Sequence, residues 1–153
     1  MSARMFDFAD VCKFIFAGKA RFTLVSPKTG ARFTYRVTRN ENEFKGKIYV
    51  RHFVSVLTGS DNENSYSYLG FFRPNEGYVY GGMKAKVPVG APSAQAFDWF
   101  ARGLLSDKGA ETLKKVEFWH EGMCGRCGKL LTVPKSIENG IGPECQKMLC
   151  EAA

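Results

Sequence analysis

The sequence predicts an α+β fold: an N-terminal helix, an antiparallel sheet of about five strands, a covering helix and a C-terminal treble-clef-like zinc module. Three observations lead there. Apolar residues recur at helical spacing in residues 5–17 and again from Ser93, the stretch between alternates apolar with polar or basic residues, and four of the five cysteines follow residue 123. The 153 residues, 44 % apolar and 14 % aromatic, suffice for one core and exclude two large domains or an unfolded chain. We place a basic α+β domain over residues 1–115 and a zinc-binding module packed on it over 116–153. No run approaches the ~18 consecutive apolar residues of a membrane span. The opening residues mix acid and base where a signal peptide needs a basic start and an apolar run. A cytoplasmic protein with no membrane partner is expected.

In residues 5–17, Phe8, Val11, Cys12, Ile15 and Phe16 fall three and four apart, and Gly18 follows as a C-cap. Residues 20–26 and 31–38 form a hairpin about the Pro27 to Gly30 turn, with Phe22, Leu24, Phe33, Tyr35 and Val37 facing inward. Arg21, Thr23, Arg32, Thr34 and Arg36 face the other way. Residues 47–57, 66–72 and 77–87 are rich in β-branched and aromatic residues and read as three more strands. Phe97, Phe100, Ala101, Leu104 and Leu105 form the stripe of a second helix capped by Ser93. Asp107 caps a further helical turn, and Val116, Phe118 and His120 alternate onto one face of a short strand.

The chemistry concentrates after residue 119. Cys124 and Cys127 have Cys-x2-Cys spacing, with Gly125 and Gly128 permitting the tight turn that aims two sulfurs at one ion. Cys145 follows after 17 intervening residues, just after Gly142 and Pro143, where a helix start favours a thiolate. Residues 132–140 read as a connecting helical turn, with Thr132 as cap, Pro134 in the first turn and Gly140 as stop. Tetrahedral zinc needs a fourth ligand. Cys150 lies five residues past Cys145, about 140° round a helix, and so faces away unless the helix has ended. His120, on the inward face of the preceding strand, is favoured, with Cys150 the alternative. One structural Zn2+ is expected, because a filled Cys3His site leaves no position for substrate. Cys12 reads as a core thiol.

The segment CGRCGKLLTVPKSIENGIGPEC closely resembles a zinc-finger-like domain family of unknown function found in phage and bacterial proteins, with the pattern C-G-x-C-G, L-T, P-x-S-I and G-I-G-P-x-C. AGKARFTL, TGARFTYRV, FVSVLTGSDN and YLG look like the β-rich region that recurs ahead of that domain in phage-encoded proteins. The resemblance implies metal binding through Cys124, Cys127 and Cys145 and a phage or mobile-element origin, which would place the protein in the cytoplasm of a host cell. It implies no activity, and it leaves the choice between His120 and Cys150 open.

The formal charge of +7 is concentrated in residues 1–56, which carry 11 Lys or Arg against 4 Asp or Glu. Such an excess favours an anionic partner. Arg21, Lys28, Arg32, Arg36, Arg39, Lys47 and Arg51 are the candidate nucleic-acid contacts of this third, with Arg126 and Lys129 of the knuckle added. Lys19 and Lys45 adjoin them, and Tyr35, Tyr49, Phe53, Tyr66 and Tyr68 are candidate base-stacking platforms. No nucleophile–base pair or phosphate-binding loop is evident, His52 reads as a packed histidine, and Asp61 and Glu63 as part of a polar turn. The expected function is a non-enzymatic accessory protein binding DNA or RNA. The alternative is a protein–protein interaction module that inhibits a host defence or transcription enzyme, the same basic face gripping an acidic surface of that partner.

Overall fold

Alternating sequence builds the centre of the molecule. Lys19–Val25 (β2) pairs antiparallel with Arg32–Phe44 (β3), in a register that sets Phe22 opposite Tyr35 and Ala20 opposite Val37. Those four side chains are fully buried, so one face of the hairpin is core and the other is not. The computed structural model describes residues 2–60, 64–73 and 77–152, with side chains through residue 149; Asp61, Glu63 and the side chain of Cys150 lie outside the described residues.

Lys47–Leu57 (β4), Tyr66–Arg73 (β5) and Gly77–Tyr80 (β6) extend the sheet on one side. The register of β4 on β5 slips between Val54 and Ser55, a bulge that turns Leu69 into the core. β6 stops at Tyr80 rather than running on to residue 87: Gly82 adopts φ +61° and opens a single 3-10 turn over Gly82–Lys84.

The expected five strands are seven among the described residues, in the order β1-β7-β2-β3-β4-β5-β6, all neighbours antiparallel. The short strand expected about Phe118, Glu117–His120 (β7), joins the sheet, and Ala3–Met5 (β1) is the strand the sequence did not reveal. β7 inserts between β1 and β2, pairing His120 with both Ala3 and Phe22. This placement buries Phe118 completely and brings the chain to the cysteine-rich segment at the sheet's edge.

Ahead of β7, three helices lie on the core face. Phe8–Ile15 (α1) is capped by Asp7, whose carboxylate accepts from Asp10 N–H. It ends at Phe16, so Gly18, at φ +137°, leads into β2 instead of capping the helix. Pro92–Leu104 (α2) begins on Ala91 with no side-chain cap, so Ser93 does not serve; its backbone carbonyl instead receives the Tyr35 hydroxyl at 2.7 Å. Gly109–Lys114 (α3) is entered through Lys108, whose N–H bonds the Ser106 hydroxyl, which displaces the expected Asp107 cap. The rings of Phe97 and Phe100 pack on Phe22, Tyr35, Phe72, Tyr78 and Phe118, with centroids as close as 4.8 Å. This aromatic layer is the core. Among the described residues no helix is long and apolar enough to cross a membrane.

Candidate metal centre and sheet face

Beyond β7 the chain folds back on itself. Gly122 and Gly128, at φ +83° and +80°, permit two tight reversals. Between them Cys124 N–H bonds the Lys129 carbonyl, Gly128 N–H bonds the Cys124 carbonyl, and Met123 bridges Leu130. Pro134–Asn139 (α4) starts on Val133, not Thr132, and stops at Gly140, left-handed at φ +78°. Pro143–Ala152 (α5) then carries Cys145 in its first turn.

The result is a cluster of sulfurs. The Sγ atoms of Cys124, Cys127 and Cys145 all lie within 4.8 Å of one another, the first and last buried and Cys127 half-buried. Backbone N–H groups of Gly142 and Arg126 point at Cys124 Sγ at 3.3 and 3.4 Å, and Arg126 Nη1 reaches Cys145 Sγ at 3.6 Å. Burial pushes the Cys124 thiol up, but the donors of Gly142, Cys127 and Arg126 outweigh it and hold the group below the ordinary thiol range. Burial raises Cys145, the Arg126 guanidinium opposes that, and the two neighbouring cysteines reinforce it. Three soft ligands at this spacing can hold one metal ion. Arg126 thus meets the sulfurs, and Lys129 lines a depression of about 340 Å3 beside them with Leu130, Val133 and Met148.

His120 is not brought to the cluster. Its ring is fully buried, Nε2 donates to the Ile137 carbonyl of α4, and Nδ1 accepts from Gly122 N–H at 2.9 Å. Both nitrogens are committed, so the histidine ties β7 to α4. The inward alternation was legible; the element that meets the inward face was not. Burial holds His120 and His52 below the ordinary imidazole value of 6.5, although their bonds to the carbonyls of Ile137 and Phe16 act the other way. Below that value the unfolded chain binds more protons than the native one, so stability is complete above it and falls as pH falls. The denaturant midpoint is expected to be lower at about pH 5.5 than at about pH 7.5, and His52→Gln is expected to shallow that slope.

The sheet face opposite the helices carries the other candidates. Arg21 sits directly across from Arg36, and the guanidinium of Arg36 lies 4.5 Å, that of Arg21 6.0 Å, from the Tyr66 ring centroid. Arg51 and Arg73 each stand 5.3 Å from the Phe71 ring, and Phe53 lies 6.1 Å from Tyr68 and 6.5 Å from Phe71. All these rings are half-buried. Like charges placed opposite each other destabilise a hairpin, and the intervening aromatic ring offsets this through cation–π contact.

Arg32 shares this face at its far end. Lys28 lies in the turn beside Trp99, Lys47 at the tip of the β3–β4 hairpin, and Arg39 on the opposite face, ion-paired with Glu41. Tyr35 is buried and bonded to Ser93, so it belongs to the core. Phe71 and Arg73 were missed; the bulge ahead of them breaks the alternation that would have revealed their face. A small depression of about 210 Å3 lined by Lys19, Arg21, Arg36, Thr38, Met123 and Gly128 joins the basic face to the knuckle.

Fold and site together define an α+β protein with a C-terminal three-cysteine centre able to hold a metal ion. Residues 117–149 match a family of unknown function, DUF6011, in agreement with the resemblance carried by the cysteine pattern. No curated protein and no solved structure gives a significant match.

Proposed function

We propose that the chain is a non-enzymatic, zinc-stabilised nucleic-acid-binding protein, in which one structural Zn2+ on Cys124, Cys127 and Cys145 fixes a treble-clef-like module beside the basic sheet face. The observation that carries this reading is the interleaving on one half-buried surface of Arg21, Arg36, Arg51 and Arg73 with Phe53, Tyr66, Tyr68 and Phe71. Guanidinium groups supply phosphate neutralisation, and flat rings supply stacking surfaces that tolerate any base. The joining depression lets the knuckle backbone at Gly128 extend the same track. The phage or mobile-element origin implied by the cysteine pattern is part of this reading.

Anisotropy of a labelled single-stranded oligonucleotide tests it. Affinity is expected to fall with salt at a slope of about −3 in log K against log salt, for four arginines on phosphates at ~0.7 each. Arg36→Glu with Arg51→Glu is expected to flatten that slope, and Tyr66→Ala to weaken binding by about 1–3 kcal/mol. Failure to bind DNA or RNA at low salt would overturn the reading and turn the basic face toward an acidic protein surface.

A further inference from the structure

Trp99 points outward from α2 and is 48 % exposed. Among the described residues its ring meets no other ring and no cation. It borders a groove of about 740 Å3 between α2, the β2–β3 turn and the link from α3 to β7, with Ala96 and the half-buried Phe33 as further apolar wall. Lys28, Lys114 and Lys115 line the same groove. All three are exposed, and none is in an ion pair among the described residues. No described carboxylate lines the groove; Asp98, next to Trp99 on α2, holds Arg102 through both its oxygens. A singly exposed apolar residue is ordinary. An indole set in a groove among three unpaired cations is a site for an anion with a flat apolar part.

The groove meets the basic sheet face across the end of the β2–β3 hairpin. Arg32 stands on that face at the last pair before the turn, opposite Val25. It is four residues along β3 from Arg36, about 14 Å at ~3.4 Å each. Lys28 lies in the turn itself and lines the groove on the helix side. From Lys19 to Arg39 the chain contains no Asp or Glu, so nothing in the hairpin repels an anion that passes over its end. The carboxylates beside it, Glu117 and Glu121, are hydrogen-bonded to Trp119 and Thr23. Positive charge therefore runs without a break from Arg36 through Arg32 and Lys28 to the indole.

We propose that single-stranded nucleic acid lying on the sheet face turns over the hairpin end at Arg32 and Lys28 and stacks one further base on Trp99, its phosphates held by Lys28, Lys114 and Lys115. The inference rests on the nucleic-acid reading of the sheet face and extends it to a second surface. Lysines supply point charges that neutralise phosphate without reading sequence, and a flat indole accepts any base. Two alanines, Ala31 and Ala96, line the groove with Trp99 and leave its open side to a planar ring.

Fluorescence titration of the full chain with a single-stranded oligonucleotide of about 12 nucleotides tests the path. Trp119→Phe leaves Trp99 as the one indole of the chain, and its emission is expected to be quenched as the strand binds. Trp99→Ala, at an exposed position, is expected to keep the circular dichroism spectrum and weaken affinity at least ~5-fold. The lysines steepen the salt dependence beyond that of the sheet face, and Lys28→Gln with Lys114→Gln is expected to remove about 1.4 from the slope, at ~0.7 for each contact. Because one strand serves both surfaces, Arg36→Glu with Arg51→Glu is expected to shift the quenching to higher strand concentration. Binding that is indifferent to Trp99→Ala and leaves the Trp99 emission unmoved would overturn the proposal while the sheet-face reading stands. Absence of any binding at low salt would overturn both. Quenching by a peptide of Glu and Phe residues but not by the oligonucleotide would make the groove a protein-docking site, and quenching that ignores the sheet-face arginines would make it a separate site; either result overturns the proposal.

Discussion

Cys124→Ser is expected to release the metal and to unlatch residues 122–142 while the sheet stays folded. Cys124 is almost wholly enclosed, and its sulfur is the acceptor for two backbone donors from opposite ends of the segment, Arg126 and Gly142. Apart from the His120 bonds, the Phe14 ring and a few backbone hydrogen bonds, the stretch has little core of its own. Among the described side chains from Glu121 to Gln146, the buried hydrophobic ones are Cys124, Leu131, Ile141 and Cys145. Structural zinc in comparable modules contributes about 10–16 kcal/mol of apparent binding free energy, much of it realised as folding. A hydroxyl in place of one thiolate gives up several kcal/mol of that total. Hydrogen exchange should show amides of Gly125, Gly128 and Leu131 losing protection while those of β2 and β3 keep it. Cys12→Ser, on α1 and outside the cluster, is expected to leave metal content unchanged.

Phe14→Ala is expected to cost about 3–5 kcal/mol, the usual range for removing a fully enclosed aromatic ring. The ring meets Phe118 edge-on at 6.0 Å and His120 at 5.8 Å. It also fills the space that side chains at Gly125 and Gly140 would occupy, since a Cβ on either would come within 2.7 Å of Phe14 Cδ2. One side chain of α1 therefore wedges sheet, knuckle and α4 together. Its loss should lower the denaturant midpoint and also speed metal release to a competing chelator, a coupling that an ordinary core cavity would not produce. Gly125→Ala is expected to have the same two effects by overfilling the same space.

The sequence made legible whatever is local. The stripe of α1, the alternation in β2 and β3, the aromatic stripe of α2, and the Pro134 to Gly140 punctuation of α4 all lie within one element or turn. The three sulfurs were readable because a glycine-flanked Cys-x2-Cys constrains its own turn. What failed is long-range. β1 is three residues long, and its partner β7 lies more than a hundred residues away, so no window of sequence reports the pair. His120 was correctly turned inward, but which element meets an inward face is a tertiary fact, and here it is α4 and Phe14 rather than the sulfurs. Basic residues close in sequence, such as Arg36 and Arg39, separate because strand pleating sends them to different faces.

The central claim is that sulfurs of the C-terminal segment clamp an ion that organises it, and native mass spectrometry of the purified chain, before and after chelation, tests this most directly. One divalent ion per chain is predicted, removed by chelator and absent from Cys124→Ser. A chain that carries no metal as isolated, yet keeps the amides of Gly125, Gly128 and Leu131 protected, would contradict it.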